Sequence, residues 1–150
     1  MGEPMKNYAE FRSDLPDEPK WDGMRLLEPA GHAHIQLLAG GLSRVGDVTE
    51  PWNEEDYAWE LVCKVGGISV SVLIEITSHD LACFLVIIHP VVLFKFLRRR
   101  RMEEAISKVC EEVGRFLRED ARVHDVRWFT RDEYEACADA KVRKQRDPRR

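Results

Sequence analysis

The sequence predicts an α+β fold. It reads as a two-layer sandwich: a mainly antiparallel mixed sheet, made of a three-strand meander plus a fourth strand, packed by one long helix, with short terminal helices. Three observations predict it. Apolar side chains alternate at a period of two on either side of Gly66-Gly67; Leu81 to Ile88 is an unbroken apolar run; and Met102 to Leu117 is apolar at helical spacing.

Taken in order, residues 1–29 hold four of the seven prolines. Met5, Tyr8 and Phe11 sit at helical spacing and predict a short amphipathic turn. Ser13 to Asp22 carries too many breakers for regular structure. The segment reads as a wrapped acidic arm, anchored by Trp21. Ile35, Leu38, Ala39 and Leu42 then mark a helical stripe stopped at Gly40-Gly41. A strand alternation, Ala33, Ile35, Leu37 and Ala39, competes with it, but Leu, Gln and Ala favour the helix. Residues 43–56 read as a loop.

Tyr57, Trp59, Leu61, Cys63 and Val65 alternate with Ala58, Glu60, Val62 and Lys64, and Ile68, Val70, Val72, Ile74 and Ile76 alternate with Ser69, Ser71, Leu73, Glu75 and Thr77. Gly66-Gly67 supplies the positive φ angles of a two-residue hairpin turn, so these strands pair antiparallel. After a turn at Ser78-His79-Asp80, the run from Leu81 is apolar on both faces, which places it centrally in the sheet. His89-Pro90 ends it, since proline cannot donate to a ladder. Met102, Ile106, Val109, Cys110, Val113, Phe116 and Leu117 form one face of the long helix, and Glu103, Glu104, Lys108, Glu111, Glu112, Arg115 and Arg118 the other. Val123 to Phe129 is the fourth strand, with Val126 and Trp128 on one face. A right-handed strand–helix–strand step makes it parallel to the third, beside either the first or the third. Thr130 and Glu133 have the spacing of a capping box and start a last helix through about Ala140. The organisation is thus an acidic arm at 1–29, one α+β domain at 30–140, and a frayed basic tail at 141–150.

The net charge of -4 is unevenly spread: residues 1–60 hold 5 basic and 13 acidic side chains, residues 61–150 hold 18 and 14. Cys63, Cys83, Cys110 and Cys137 are widely spaced, each in an apolar pattern, and read as buried free thiols in a reducing, cytoplasmic setting. The start lacks the basic-then-apolar pattern of a secretory signal. Leu81 to Leu97 followed by Arg98 to Arg101 resembles a membrane span with a positive flank, but His89-Pro90 and Lys95 interrupt it.

Candidate sites are few. His32-x-His34 could offer two imidazoles to zinc, with His79, His89 or His124 as a third ligand. In a helix, however, the two rings point roughly 200° apart, and both then read as surface or turn histidines. Glu54, Glu55 and Asp56 near Glu60 are a solvated acidic loop without calcium-loop spacing. Lys95, Arg98, Arg99, Arg100 and Arg101 suit phosphate; four positive charges at a helix start oppose the macrodipole, which points either to a function or to a helix beginning later, near Met102. Neither a nucleophile elbow nor a phosphate-cradling or dinucleotide-binding glycine motif is present, and no cofactor is implied.

The expected function is a non-catalytic, cytosolic protein-interaction module of the adaptor, inhibitor or immunity type. It would bind a protein partner through an acidic, aromatic-bearing face built from Trp21, Trp52, Glu54, Glu55, Asp56 and Tyr57, because aromatics ringed by polar groups anchor interfaces. The alternatives are a nucleic-acid or anionic-membrane binder using Arg98–Arg101 and the basic tail, and a metal-dependent enzyme.

Overall fold

In the computed structural model, which describes residues 4–54, 58–77, 82–91 and 99–146, the elements run β1 (Tyr8–Ser13), β2 (Lys20–Asp22), β3 (Arg25–Glu28), α1 (His32–Leu42), β4 (Asp47–Val48), β5 (Trp52–Glu54), β6 (Ala58–Val65), β7 (Ile68–Ile76), β8 (Cys83–Pro90), α2 (Arg99–Glu119), β9 (Val123–Phe129) and α3 (Arg131–Arg146). The side chains of Glu54 and of residues 139–146 lie outside that description.

Among the described residues, one seven-stranded sheet has the order β4-β6-β7-β8-β1-β9, with β5 also paired to β6; β2 and β3 form a separate two-stranded sheet. The three meander strands pair as expected, and the turn expected at Ser78-His79-Asp80 lies outside the described residues. Gly66 and Gly67, with φ of 56° and 81°, close the two-residue turn between Val65 and Ile68, and β6 and β7 pair antiparallel over their length. The apolar strand β8 is indeed internal, flanked by β7 and β1. Helix α1 takes the residues whose helix and strand patterns competed. Thr130 and Glu133 form their reciprocal capping box: Glu133 N–H donates to Thr130 Oγ1 at 3.1 Å, and Thr130 N–H donates to Glu133 Oε1 at 3.0 Å.

Several expectations are corrected. Residues 43–56, read as a loop, hold the short strands β4 and β5, both paired antiparallel with β6. Residues 8–13 are not a helical turn in an arm but the interior strand β1, which occupies the slot beside β8. Their alternation, Ala9, Phe11 and Ser13 inward against Tyr8, Glu10 and Arg12, outweighs the helical spacing of Met5, Tyr8 and Phe11. Consequently β9 pairs with β1 rather than with either meander strand; since β1 is antiparallel to both β8 and β9, those two run parallel, as expected. Within Ser13–Asp22, Lys20–Asp22 forms β2 and pairs with β3 around Gly23. Helices α2 and α3 also exceed their expected bounds, starting at Arg99 and ending at Arg146.

The core lies on one face of the sheet, under α1 and α2. Ile35, Leu38 and Leu42 of α1 and Met102, Ile106, Val109, Val113 and Leu117 of α2 join Leu61, Val70, Val72, Ile74, Phe84, Val86, Ile88, Ala9 and Phe11 in one cluster. Glu112, expected on the solvent face of α2, is instead 6% exposed and flanked by Arg44 at 3.8 Å and Arg115 at 3.6 Å. Cys137, expected in an apolar pattern, is exposed, whereas Cys63 is buried and Cys110 is pushed up to about 12 by burial, which makes it an inert thiol.

Between α1 and β4 the chain passes so close to β6 that a Cβ on Gly46 would lie 2.4 Å from the carbonyl oxygen of Lys64 and 3.0 Å from Cys63 Sγ. A backbone oxygen cannot swing aside. Gly46→Ala is therefore expected to destabilise the protein by about 1–3 kcal/mol through overpacking, read as a lowered urea midpoint at unchanged slope.

Candidate functional site

Two arrangements stand out, one inside the protein and one on its surface. The first gathers Ser13 from the end of β1, Asp17 from the segment after it, and His34 from the first turn of α1. Helix α1 begins at Gly31, which offers no side-chain cap. Its open N–H groups are served from a distance: Asp17 Oδ1 accepts from Ala33 N–H at 3.0 Å and Asp17 Oδ2 from His34 N–H at 3.1 Å. The same Oδ2 accepts from His34 Nδ1 at 2.5 Å, while His34 Nε2 lies 2.7 Å from Ser13 Oγ. An ionised carboxylate only accepts, so Nδ1–H donates to Asp17 Oδ2, and Nε2 and Ser13 Oγ share a further hydrogen bond. The ring packs beside Phe84 and Phe11, at centroid distances of 4.4 and 5.7 Å. Burial alone would raise Asp17, but the His34 ring and the two backbone N–H groups together hold its carboxyl below the ordinary 3.8.

The connectivity Ser–His–Asp is that of hydrolytic triads, which are recognised by geometry rather than by sequence order. Here the hydroxyl is in a residue only 5% exposed, with His34 at 0% and Asp17 at 8%, and the described cavities are lined by other residues. A nucleophile needs a substrate within reach; this one meets packed protein. What the set does is tie the segment after β1 to the start of α1. His34, expected on the surface or in a turn, is thus corrected to a fully buried core histidine. Its neighbour His32 stacks on Trp59 at 4.2 Å, so the two rings do diverge. Among the described residues no three His, Cys, Asp or Glu side chains converge as a metal site. His79 lies outside the described residues.

The second arrangement is the sheet face turned away from α1 and α2. Directly paired residues in antiparallel strands share a face. The register therefore aligns one transverse row through six strands: Trp52 opposite Glu60, Glu60 opposite Leu73, Leu73 opposite Ile87, Ile87 opposite Tyr8, and Tyr8 opposite Phe129. Trp52 is 36% exposed, and the other five are half-buried. The next row carries Glu75, Leu85, Glu10 and Arg127. Helix α3 adds Tyr134, 5.5 Å from the Tyr8 ring and 5.9 Å from Phe129. Burial raises the Glu75 carboxyl. Burial, then the negative charges of Glu10 and Glu75, pushes the Tyr134 phenol up to about 12. Near the β9 edge the β1–β9 register shifts between Glu10 and Arg12, Asp125 adopts φ 53°, and a cavity of about 520 Å³ opens, lined by Glu10, Arg12, Cys83, Asp125 and Arg127 among others.

Comparisons with family models, curated proteins and solved structures return no match.

The sequence-derived candidates are thus dispersed. Trp52 and Glu54 share β5, whereas Trp21, 58% exposed, belongs to the separate β2–β3 hairpin, whose turn also leaves Met24 99% exposed. Glu55, Asp56 and Tyr57, and likewise Lys95 and Arg98, lie outside the described residues. Arg99, Arg100 and Arg101 are exposed on the first turn of α2, where Arg99 and Arg100 pair with Glu103 at 3.3 Å and Glu104 at 3.5 Å. No helix among the described residues is long and apolar enough to cross a membrane. Sequence reasoning missed Tyr8, Leu73, Ile87, Phe129 and Tyr134 as one surface, because only the register of non-consecutive strands assembles them.

Proposed function

We propose that this chain is a non-catalytic protein-interaction module that binds a protein partner through the acidic, aromatic-bearing outer face of its sheet. The observation that carries the reading is the row Trp52–Glu60–Leu73–Ile87–Tyr8–Phe129. Accessible aromatic and aliphatic side chains, contiguous over six strands and interleaved with carboxylates, have the make-up of an interface centre with a polar surround. The β2–β3 hairpin, with Trp21 and Met24 in solvent, supports it as a second apolar projection.

The test is affinity purification from the native host with and without nuclease, comparing the wild-type chain with a Trp52→Ala/Leu73→Ala variant. A nuclease-resistant protein recovered in near-equal amount by the wild type, and at least tenfold less by the variant, is the expected result, since interface anchors cost about 2 kcal/mol or more when truncated. Recovery unchanged by the double substitution, or material lost on nuclease treatment, overturns the reading.

A further inference from the structure

We infer that the outer face takes a basic partner segment, an arginine side chain of which lodges between the Tyr8–Tyr134–Phe129 aromatic cluster and the carboxylates of Glu10 and Glu75. This deepens the interaction reading and rests on it.

Charge and ring geometry select the occupant. Tyr8 lies within 5.5 Å of the Tyr134 ring, and Phe129 within 5.9 Å of the same ring. Aromatic faces attract cations within about 6 Å, and a guanidinium does so while also presenting a fork of donors to a carboxylate. The two glutamates are in place for that second contact. Glu75 and Glu10 are both paired with Leu85, one from each side, and Leu85 is 1% exposed, so the carboxylates border a dry strip of sheet. Neither has an ion-pair partner among the described residues.

The surrounding charges agree. Glu60 lies one row away and accepts from Ser71 Oγ at 2.8 Å. Arg131, whose charge is felt by Tyr8, is already held by Glu135 at 3.0 Å. Arg127, opposite Glu10 on β9, bounds the patch at the sheet edge. Burial raises Tyr8, Tyr134 and Glu75 alike, and Glu75 adds to the shift of both tyrosines. Glu10 and Glu75 thus set a negative field beside the Tyr134 ring. A phosphate-bearing ligand meets the opposite field and is disfavoured.

The full chain, labelled with nitrogen-15, is titrated with the peptide acetyl-Gly-Arg-Gly-Arg-Gly-amide and, separately, with the same peptide carrying citrulline, which keeps the shape and removes the charge. The arginine peptide is expected to shift the amides of Tyr8, Leu73, Glu75, Ile87, Phe129 and Tyr134. It should also lower the Tyr134 ionisation midpoint followed by phenolate absorbance, and it should weaken as salt rises. Glu10→Gln/Glu75→Gln, checked for folding by circular dichroism, should bind about tenfold more weakly. Equal shifts from the citrulline peptide, no shifts, or shifts centred on Asp22 and Glu28 of the hairpin overturn the inference. If Trp52→Ala/Leu73→Ala abolishes partner recovery while the arginine peptide leaves this cluster unmoved, the interaction function survives and the arginine site does not. If the peptide binds here but the partner is indifferent to the double variant, the failure is that of the interaction reading.

Discussion

Asp17→Ala is expected to lower the unfolding free energy by about 3–5 kcal/mol. The side chain accepts three hydrogen bonds, from Ala33 N–H, His34 N–H and His34 Nδ1, in a place where water does not replace them. Each buried donor left unpaired costs about 1–3 kcal/mol. The two backbone donors belong to the first turn of α1, whose own start supplies no side-chain cap, so the substitution also frays the helix that covers one end of the core. Asp17→Asn retains an acceptor oxygen and should cost roughly half as much. Urea unfolding at neutral pH measures both, and a loss below about 1 kcal/mol for the alanine variant would show that the cluster is not a structural tie.

The pH dependence follows from the direction of the Asp17 shift. Its folded-state carboxyl lies below the ordinary 3.8, so the unfolded chain takes up this proton first as pH falls. The contribution is fully present above about pH 5 and is lost as pH drops below 4 through the folded value. The stability difference between wild type and Asp17→Asn should therefore be constant from pH 5 to 7 and shrink on further acidification. A difference that instead grows toward acid would mean that Asp17 is held above its ordinary value by burial.

Legibility in the sequence tracked how local the determining physics was. The β6–β7 hairpin was readable because Gly66-Gly67 and period-two alternation are contiguous in the chain. The α2 face was readable because 3.6-residue spacing is. The capping box was readable because Thr130 and Glu133 are three residues apart. Strand β1 was not, since Pro4, Pro16 and Pro19 bracket it and a six-residue alternation also fits helical spacing. The position of β9 is hidden with it, because β1 is the strand that separates β9 from β8. The same error hid both candidate sites. Ser13, Asp17 and His34 span 21 residues and meet only once β1 enters the sheet. The outer row joins Tyr8 to Ile87 and Phe129 through the same strand. Glu112 is misjudged for a different reason: a carboxylate on an amphipathic helix reads as solvent-facing until Arg44, just past the C-terminal end of α1, is known to approach it.

A second large effect is expected from Phe11→Ala, which should destabilise the protein by about 3–5 kcal/mol. Phe11 is 0% exposed and packs beside Phe84 and His34, with ring centroids 5.7 Å away in each case. Removing it opens a cavity on the core face of β1 and loosens the His34 ring that Asp17 and Ser13 hold. The informative control is Trp21→Ala in the same N-terminal segment. Trp21 is 58% exposed, so its loss should change stability by no more than about 0.5 kcal/mol. If residues 1–29 were an arm laid on a finished domain, both substitutions would be mild. A strand between β8 and β9 predicts that they differ severalfold. Because Phe11, His34 and Asp17 form one contiguous cluster, Phe11→Ala and Asp17→Ala should also be non-additive, the double variant losing less than the two single losses combined.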